Sequence, residues 1–158
     1  MQLQKWLEKW DITSLKINLK FLEMNWEPNT ADKDAAWELY VEMLTRIATQ
    51  HLQPDQGDEK VVLNSIHQLF NLPRSILRSH GRDCVTFSKV AVVVLNQIIR
   101  PFTAKWHKKS LTGAFDDEAK CKDFREELAA LQTELRKYTA ALADIAGVEN
   151  LTELEKTT

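Results

Sequence analysis

A chain of 158 residues, 44 % hydrophobic and 28 % charged, fits one domain large enough to bury a core of its own. Two cysteines without a CxxC pair exclude a disulfide framework or zinc knot. The longest uncharged apolar run, Val90 to Ile99, is about half of what a bilayer span requires, and MQLQKWLEKW lacks the apolar stretch and cleavage site of a signal peptide. The net charge of −2 conceals a segregation: residues 71 to 109 hold eight Lys or Arg against one acid, Asp83, whereas residues 1 to 70 sum to −4 and residues 110 to 158 to −5. A basic block between acidic flanks predicts an anionic partner.

With only four Gly and four Pro, breaks are few and segments long, which predicts a mainly all-α chain of four to five helices in one domain, 1–158. Leu3, Trp6, Leu7 and Trp10 recur at helical spacing in a short amphipathic start. Over 14–24 the period changes: Leu15, Ile17, Leu19 and Phe21 alternate with Lys16, Asn18 and Lys20, as in a half-buried strand. No second strand is evident, so this one is expected to pair across a dimer. After Pro28-Asn29-Thr30, the positions of Trp37, Tyr40, Val41, Leu44, Ile47 and Ala48 predict a helix over 31–52, with Asp32 and Asp34 near its positive end. Asp58 opens a helix over 58–80 that accommodates Pro73 as a kink or in a first turn, and Gly81 ends it.

The segment 86–109 is the most apolar and contains Pro101, which predicts a kinked, largely buried helix. A straight projection at about 100° per residue puts Lys89, Asn96, Arg100, Thr103 and His107 on one polar stripe. The last helix, 117–146, carries Cys121, Phe124, Leu128, Leu131, Leu135, Tyr138, Leu142 and Ile145 at alternating spacings of three and four, a heptad seam. Asp116, Asp117 and Glu118 favour its start and Gly147 its end. So narrow a stripe predicts that Phe124, Leu128, Leu131, Leu135, Tyr138 and Leu142 form a homo-oligomer interface.

The basic block is where chemistry is expected. Arginine grips phosphate through a planar fork, and lysine and asparagine add donors. The candidate ligand-binding residues are therefore Lys89, Asn96, Arg100, Lys105, His107, Lys108 and Lys109, with Arg74 and Arg78 from the preceding helix. A pI near 6.1 disfavours a long duplex, whose phosphates the acidic flanks would repel; a nucleotide or cyclic oligonucleotide at an oligomer axis suits better. Phe102 and Trp106 sit beside the bases but at core spacing. No Gly-rich phosphate loop, HExxH, nucleophile elbow or metal-ligand cluster is present, so no cofactor or metal is expected. His51 and His67 stand isolated.

An enzymatic alternative rests on spacing. All-helical HEPN ribonucleases use an Arg followed by four to six residues and then a His, the Arg stabilising the scissile phosphate and the His moving a proton. Arg46 to His51, Arg74 to His80 and Arg100 to His107 resemble this pattern, and Arg100 with His107 fits best because both fall on the polar stripe. The residues after each Arg, Ile47, Ser75 and Pro101, depart from the polar residue favoured there.

Three blocks, DKDAAWELYVEMLTRIATQ, LNQIIRPFTAKWH and YTAALADIAGVENL, resemble parts of an uncharacterised bacterial family of helical proteins associated with antiphage defence. The resemblance spans most of the chain and implies nucleotide sensing or RNA cleavage, without assigning a residue. The expectation is thus a cytoplasmic, oligomeric, non-enzymatic module that binds a phosphate-bearing ligand and regulates a partner protein, with a ribonuclease or an interaction scaffold as alternatives.

Overall fold

Helix starts follow the short polar side chains that precede the apolar runs. The computed structural model describes residues 1–154 except 47 and 54, and within them the chain is all-α: α1 Leu3–Lys9, α2 Leu19–Leu22, α3 Thr30–Leu44, α4 Glu59–His67, α5 Asn71–His80, α6 Val85–Val94, α7 Arg100–Ser110 and α8 Glu118–Ala146. Asp58 accepts from the amides of Lys60 and Val61 to cap α4, and Asp117 accepts from those of Ala119 and Lys120 to cap α8, each satisfying donors that a helix start leaves open. At the other end of α8, Gly147 takes the left-handed conformation (φ 72°) and the Val148 amide turns back to the Ala143 carbonyl, 3.0 Å, as expected of a glycine helix stop.

One carboxylate joins two helix starts. Asn29 and Asp32 form a reciprocal capping box at α3, and the second oxygen of Asp32, a fully buried residue, accepts from the Phe87 amide of α6 at 2.8 Å. Asn29 Nδ2 also donates to the Asp83 carbonyl, 2.8 Å, so the cap of α3 fixes the entry to α6. Asp32 thus holds the N-terminal ends of two helices against each other, where their dipoles favour a negative charge.

α3 ends earlier than the periodicity to residue 52 predicts. Thr45 Oγ1 donates to the Val41 and Glu42 carbonyls, Thr49 Oγ1 to Met43 O, and Gln50 Nε2 to Leu44 O at 2.7 Å. Side chains therefore take the last-turn carbonyls that a continuing helix would have bonded. Trp37 and Val41, expected in its core face, are 48 % and 40 % exposed; Tyr40 faces inward as expected, and Ala35, Ala36, Leu39 and Met43 complete the buried side. Ile47 lies outside the described residues. The loop that follows is fastened to α8: Arg125 donates to Glu59 and to the carbonyls of Gln53, Gln56 and Gly57, Gln132 to that of Gln50, and Arg136 to that of Thr49.

The segment expected as a strand, 14–24, does not form one. Residues 12–18 run without regular structure before the short turn α2, and an isolated bridge joins Gln2 to Asn25. The two-residue alternation is nevertheless present in the burial: Leu15 and Ile17 pack partly against the core while Lys16 and Asn18 are exposed. Its partner is a side chain. Gln97 Oε1 accepts from the Lys16 amide and Gln97 Nε2 donates to the Lys16 carbonyl, both at 2.7 Å, and the amide group thereby takes the place of a neighbouring strand.

The seam of α8 is spent inside the chain. Phe124, Leu128, Leu131, Leu135, Tyr138 and Leu142 are between 0 and 7 % exposed in the single chain, with α8 packed chiefly along α3. Phe124 meets Phe102, Phe115 and Trp106 at ring centroid distances of 5.1 to 5.5 Å. The expected oligomer interface at these residues is thus corrected to an intramolecular core: the 3–4 spacing specifies an apolar stripe, and the chain's own helices cover it. The tryptophans of α1 are likewise internal. Trp6 stacks on Trp26 at 4.5 Å, and Trp6 and Trp10 donate to Asp144 at the end of α8.

The helical run Glu59–Ser110 contains a stretch long and apolar enough to cross a membrane. Here its inward residues Phe87, Val90, Ala91, Val94 and Ile99 build the core, leaving Val85 and Val92 among the exposed apolar side chains.

A candidate anion site on the basic face of α7

Proline 101 removes one amide and crowds the carbonyl four residues before it, so the helix through 86–109 cannot pass that point unchanged. It widens. Leu95–Ile99 form a π turn, with the Arg100 amide bonded to Leu95 O, five residues back, and Pro101 sits in the first turn of α7, where no amide is required. Each residue of a π turn advances less than the 100° of an α-helix, so a straight projection loses phase across it. The predicted stripe splits as a result: Thr103 turns inward, 5 % exposed, with Oγ1 donating to the Ile99 and Arg100 carbonyls.

The predicted cations separate into three places. Lys89, before the π turn, approaches α2, with Nζ 3.4 Å from Met24 Sδ and 5.7 Å from the centre of the Phe21 ring. Lys105 and Lys109 turn toward α8. Lys105 pairs with Glu127, Trp106 Nε1 donates to the same carboxylate at 2.6 Å, and Lys109 Nζ lies 4.8 Å over the Trp106 ring. These two lysines line a cleft of about 360 Å³ with Asp123, Glu126 and Glu127, whose carboxylates outnumber them. Burial pushes the Glu127 carboxyl up, but hydrogen bonds from Lys105 and Trp106 and the two ammonium charges outweigh it and hold the group below the ordinary carboxylate range. With Lys105 committed to Glu127 and Lys109 set over Trp106 in a cleft where carboxylates are in the majority, an anionic ligand gains little there.

Arg100 is the third place. Its Cζ lies 4.9 Å from the Phe70 ring centre, a cation–π contact, and Asn96 Oδ1 accepts from Nε and from one terminal nitrogen, each at 3.3 Å. No ion pair involves Arg100 among the described residues. The guanidinium is therefore oriented on one face by an aromatic ring and on one edge by an amide, leaving donors over for a ligand. Phe70 directly precedes α5, whose Arg74 stands one turn further on, and Arg78 one turn beyond that; both are exposed, without a carboxylate partner among the described residues. The His67 ring lies 5.6 Å from that of Phe70. Asn96, Arg100 and Phe70 at the start of α5 thus meet; Phe70 and His67 were absent from the sequence expectation. Their spacing along the chain carries no such signal, because the contact spans thirty residues.

His107 and Lys108 are exposed and make no ion pair among the described residues. Seven residues along a helix separate His107 from Arg100 by roughly 10 Å of rise, and Arg100 points to Phe70 and Asn96. The geometry does not bring this pair together around one phosphate. Of the other two spacings, Arg46 is taken by Glu42 at 3.0 Å and His80 by Glu38 at 2.8 Å. No group of three or more His, Cys, Asp or Glu positioned to hold a metal occurs among the described residues. Cys84 is buried, and the Cys121 thiol is pushed up from its ordinary pKa by burial and by the charge of Glu59. Both are consistent with cysteines that pack.

The fold and this face define the class: an all-α bundle with an oriented, carboxylate-free arginine at a π turn. No family model, curated protein or solved structure matches the chain.

Proposed function

We propose that the chain is a non-enzymatic helical module that binds a phosphate-bearing ligand, a nucleotide or cyclic oligonucleotide, at the face formed by Arg100, Asn96 and Arg74, and passes occupancy on to a partner protein in the cytoplasm. The observation that carries this reading is the Arg100 guanidinium, stacked on Phe70 and held by Asn96 without a carboxylate. A planar fork held in this way loses less freedom on meeting a phosphate than a free side chain does. Arg74 and Arg78 supply further charge on the adjoining helix, and the resemblance of three sequence blocks to a defence-associated family supports the same ligand class. Lys89, Lys105 and Lys109 have no direct part in it.

Calorimetric titration with adenosine triphosphate, a cyclic dinucleotide and a cyclic oligoadenylate, each at low and high salt, tests the proposal. At least one is expected to bind with an affinity that falls as salt rises and falls at least tenfold in Arg100→Ala. Absence of salt-sensitive binding, or binding indifferent to Arg100→Ala, contradicts it.

A further inference from the structure

The geometry points to a docking edge for an acidic, extended polypeptide on residues 13–18. In an extended chain the N–H and C=O of one residue point to one side and those of the next residue to the other. Gln97 takes both backbone groups of Lys16 at 2.7 Å, so the groups of Leu15 and Ile17 turn to the opposite side, where no backbone or side-chain partner meets them among the described residues. Such groups are a template for an added strand. The two-way bond to Gln97 and the alternating burial of residues 15–18 indicate an extended, anchored segment, with Leu15 and Ile17 packed partly on the core, so the ordering cost of strand addition falls mainly on the incoming chain.

Charge selects the occupant. Residues 12 to 22 contain Lys16 and Lys20 and no acid, neither lysine makes an ion pair, and the ammonium of Lys89 stands 5.7 Å from the Phe21 ring. A carboxylate of an incoming strand would meet Lys16, and Lys20 in α2 adds positive charge just beyond the edge. Just beyond the edge, Leu19 and Phe21 are 62 % and 42 % exposed and offer apolar contact. A second copy of the chain fits worse, because the antiparallel register that matches Leu15 to Ile17 in both copies sets Lys16 opposite Lys16.

The test uses the full chain and a fluorescein-labelled peptide of about eight residues, the length of an ordinary strand, alternating valine and glutamate, with an alternating valine and lysine peptide as control. Fluorescence anisotropy is expected to rise saturably with the acidic peptide alone. The affinity should drop at least tenfold in Leu15→Pro, which removes one free amide, and in Lys16→Glu, which keeps the backbone intact, with circular dichroism confirming that both variants stay folded. Failure of the acidic peptide to bind, equal binding by Lys16→Glu, or sedimentation showing a dimer that Leu15→Pro disperses would overturn the proposal.

Discussion

The side-chain amide of Gln97 closes a two-way hydrogen bond with the backbone of Lys16, 81 positions away, with both distances at 2.7 Å. It ties the 12–18 segment to the π turn, and each bond contributes about 0.5–1.5 kcal/mol. Gln97→Ala should therefore leave the helical bundle intact and release the segment locally. Hydrogen exchange at Lys16 is expected to accelerate in the variant while amides of α8 stay protected; equal protection at Lys16 would show that Gln97 does not hold it.

Asp32 serves two helix starts from a fully buried position. Asp32→Ala strands the amides of Asn29 and Phe87, and the combined loss of two charge-assisted bonds is about 2–4 kcal/mol. Urea denaturation should show that loss with an unchanged slope. A loss below 1 kcal/mol, on the scale of an ordinary surface change, would contradict the double-cap account.

Tyr138 presents the opposite case. It is 5 % exposed, its hydroxyl meets no partner among the described residues, and it borders a cavity of about 10 Å³ lined by apolar side chains including Leu39, Ile99 and Leu95. Burial alone pushes the phenol far above its ordinary pKa. An unpaired buried hydroxyl costs about 1–3 kcal/mol, so Tyr138→Phe should be neutral or stabilising by thermal melting. A fall in melting temperature would mean that the hydroxyl has a partner in solution.

Glu127 makes stability depend on pH in a defined direction. Its folded pKa is depressed, so its contribution is present above the unfolded carboxylate value of about 4.3 and is lost as pH falls through the lower folded value. The carboxylate is 39 % exposed, which keeps the effect small through solvent screening. The gap in melting temperature between the wild type and Glu127→Gln should be widest at pH 6 and close as pH drops below 4. A gap that widens in acid would reverse the sign.

Two of the four long helical segments are readable at both ends because their punctuation is local. Asp58, Asp117, Gly81 and Gly147 cap or stop helices where they stand in the sequence, and Pro73 falls in a first turn. What failed was long-range. Leu15 and Ile17 do alternate as in a strand, but their segment is completed by a glutamine side chain from a helix, for which no strand pattern exists. The seam from Phe124 to Leu142 announces an apolar stripe without saying whose surface covers it, and α3 covers it here. At the candidate site the basic block drew attention to Arg100 and Asn96, which the fold leaves side by side, while the π turn before Pro101 shifted the phase that had joined them to Lys89 and Thr103. Lys105 found Glu127 across the α7–α8 interface, a pairing that net charge cannot reveal.

Arg100 and Arg125 furnish the decisive comparison, because one guanidinium is oriented with donors over and the other is committed to Glu59 and three carbonyls. Nitrogen-15 spectra of the arginine side chains, recorded while the phosphate ligand that binds most tightly is added, read the two directly. The Nε–H signal of Arg100 is expected to shift saturably while that of Arg125 stays in place. A stationary Arg100 signal, or equal shifts at both, would contradict the assignment of this face as the anion site.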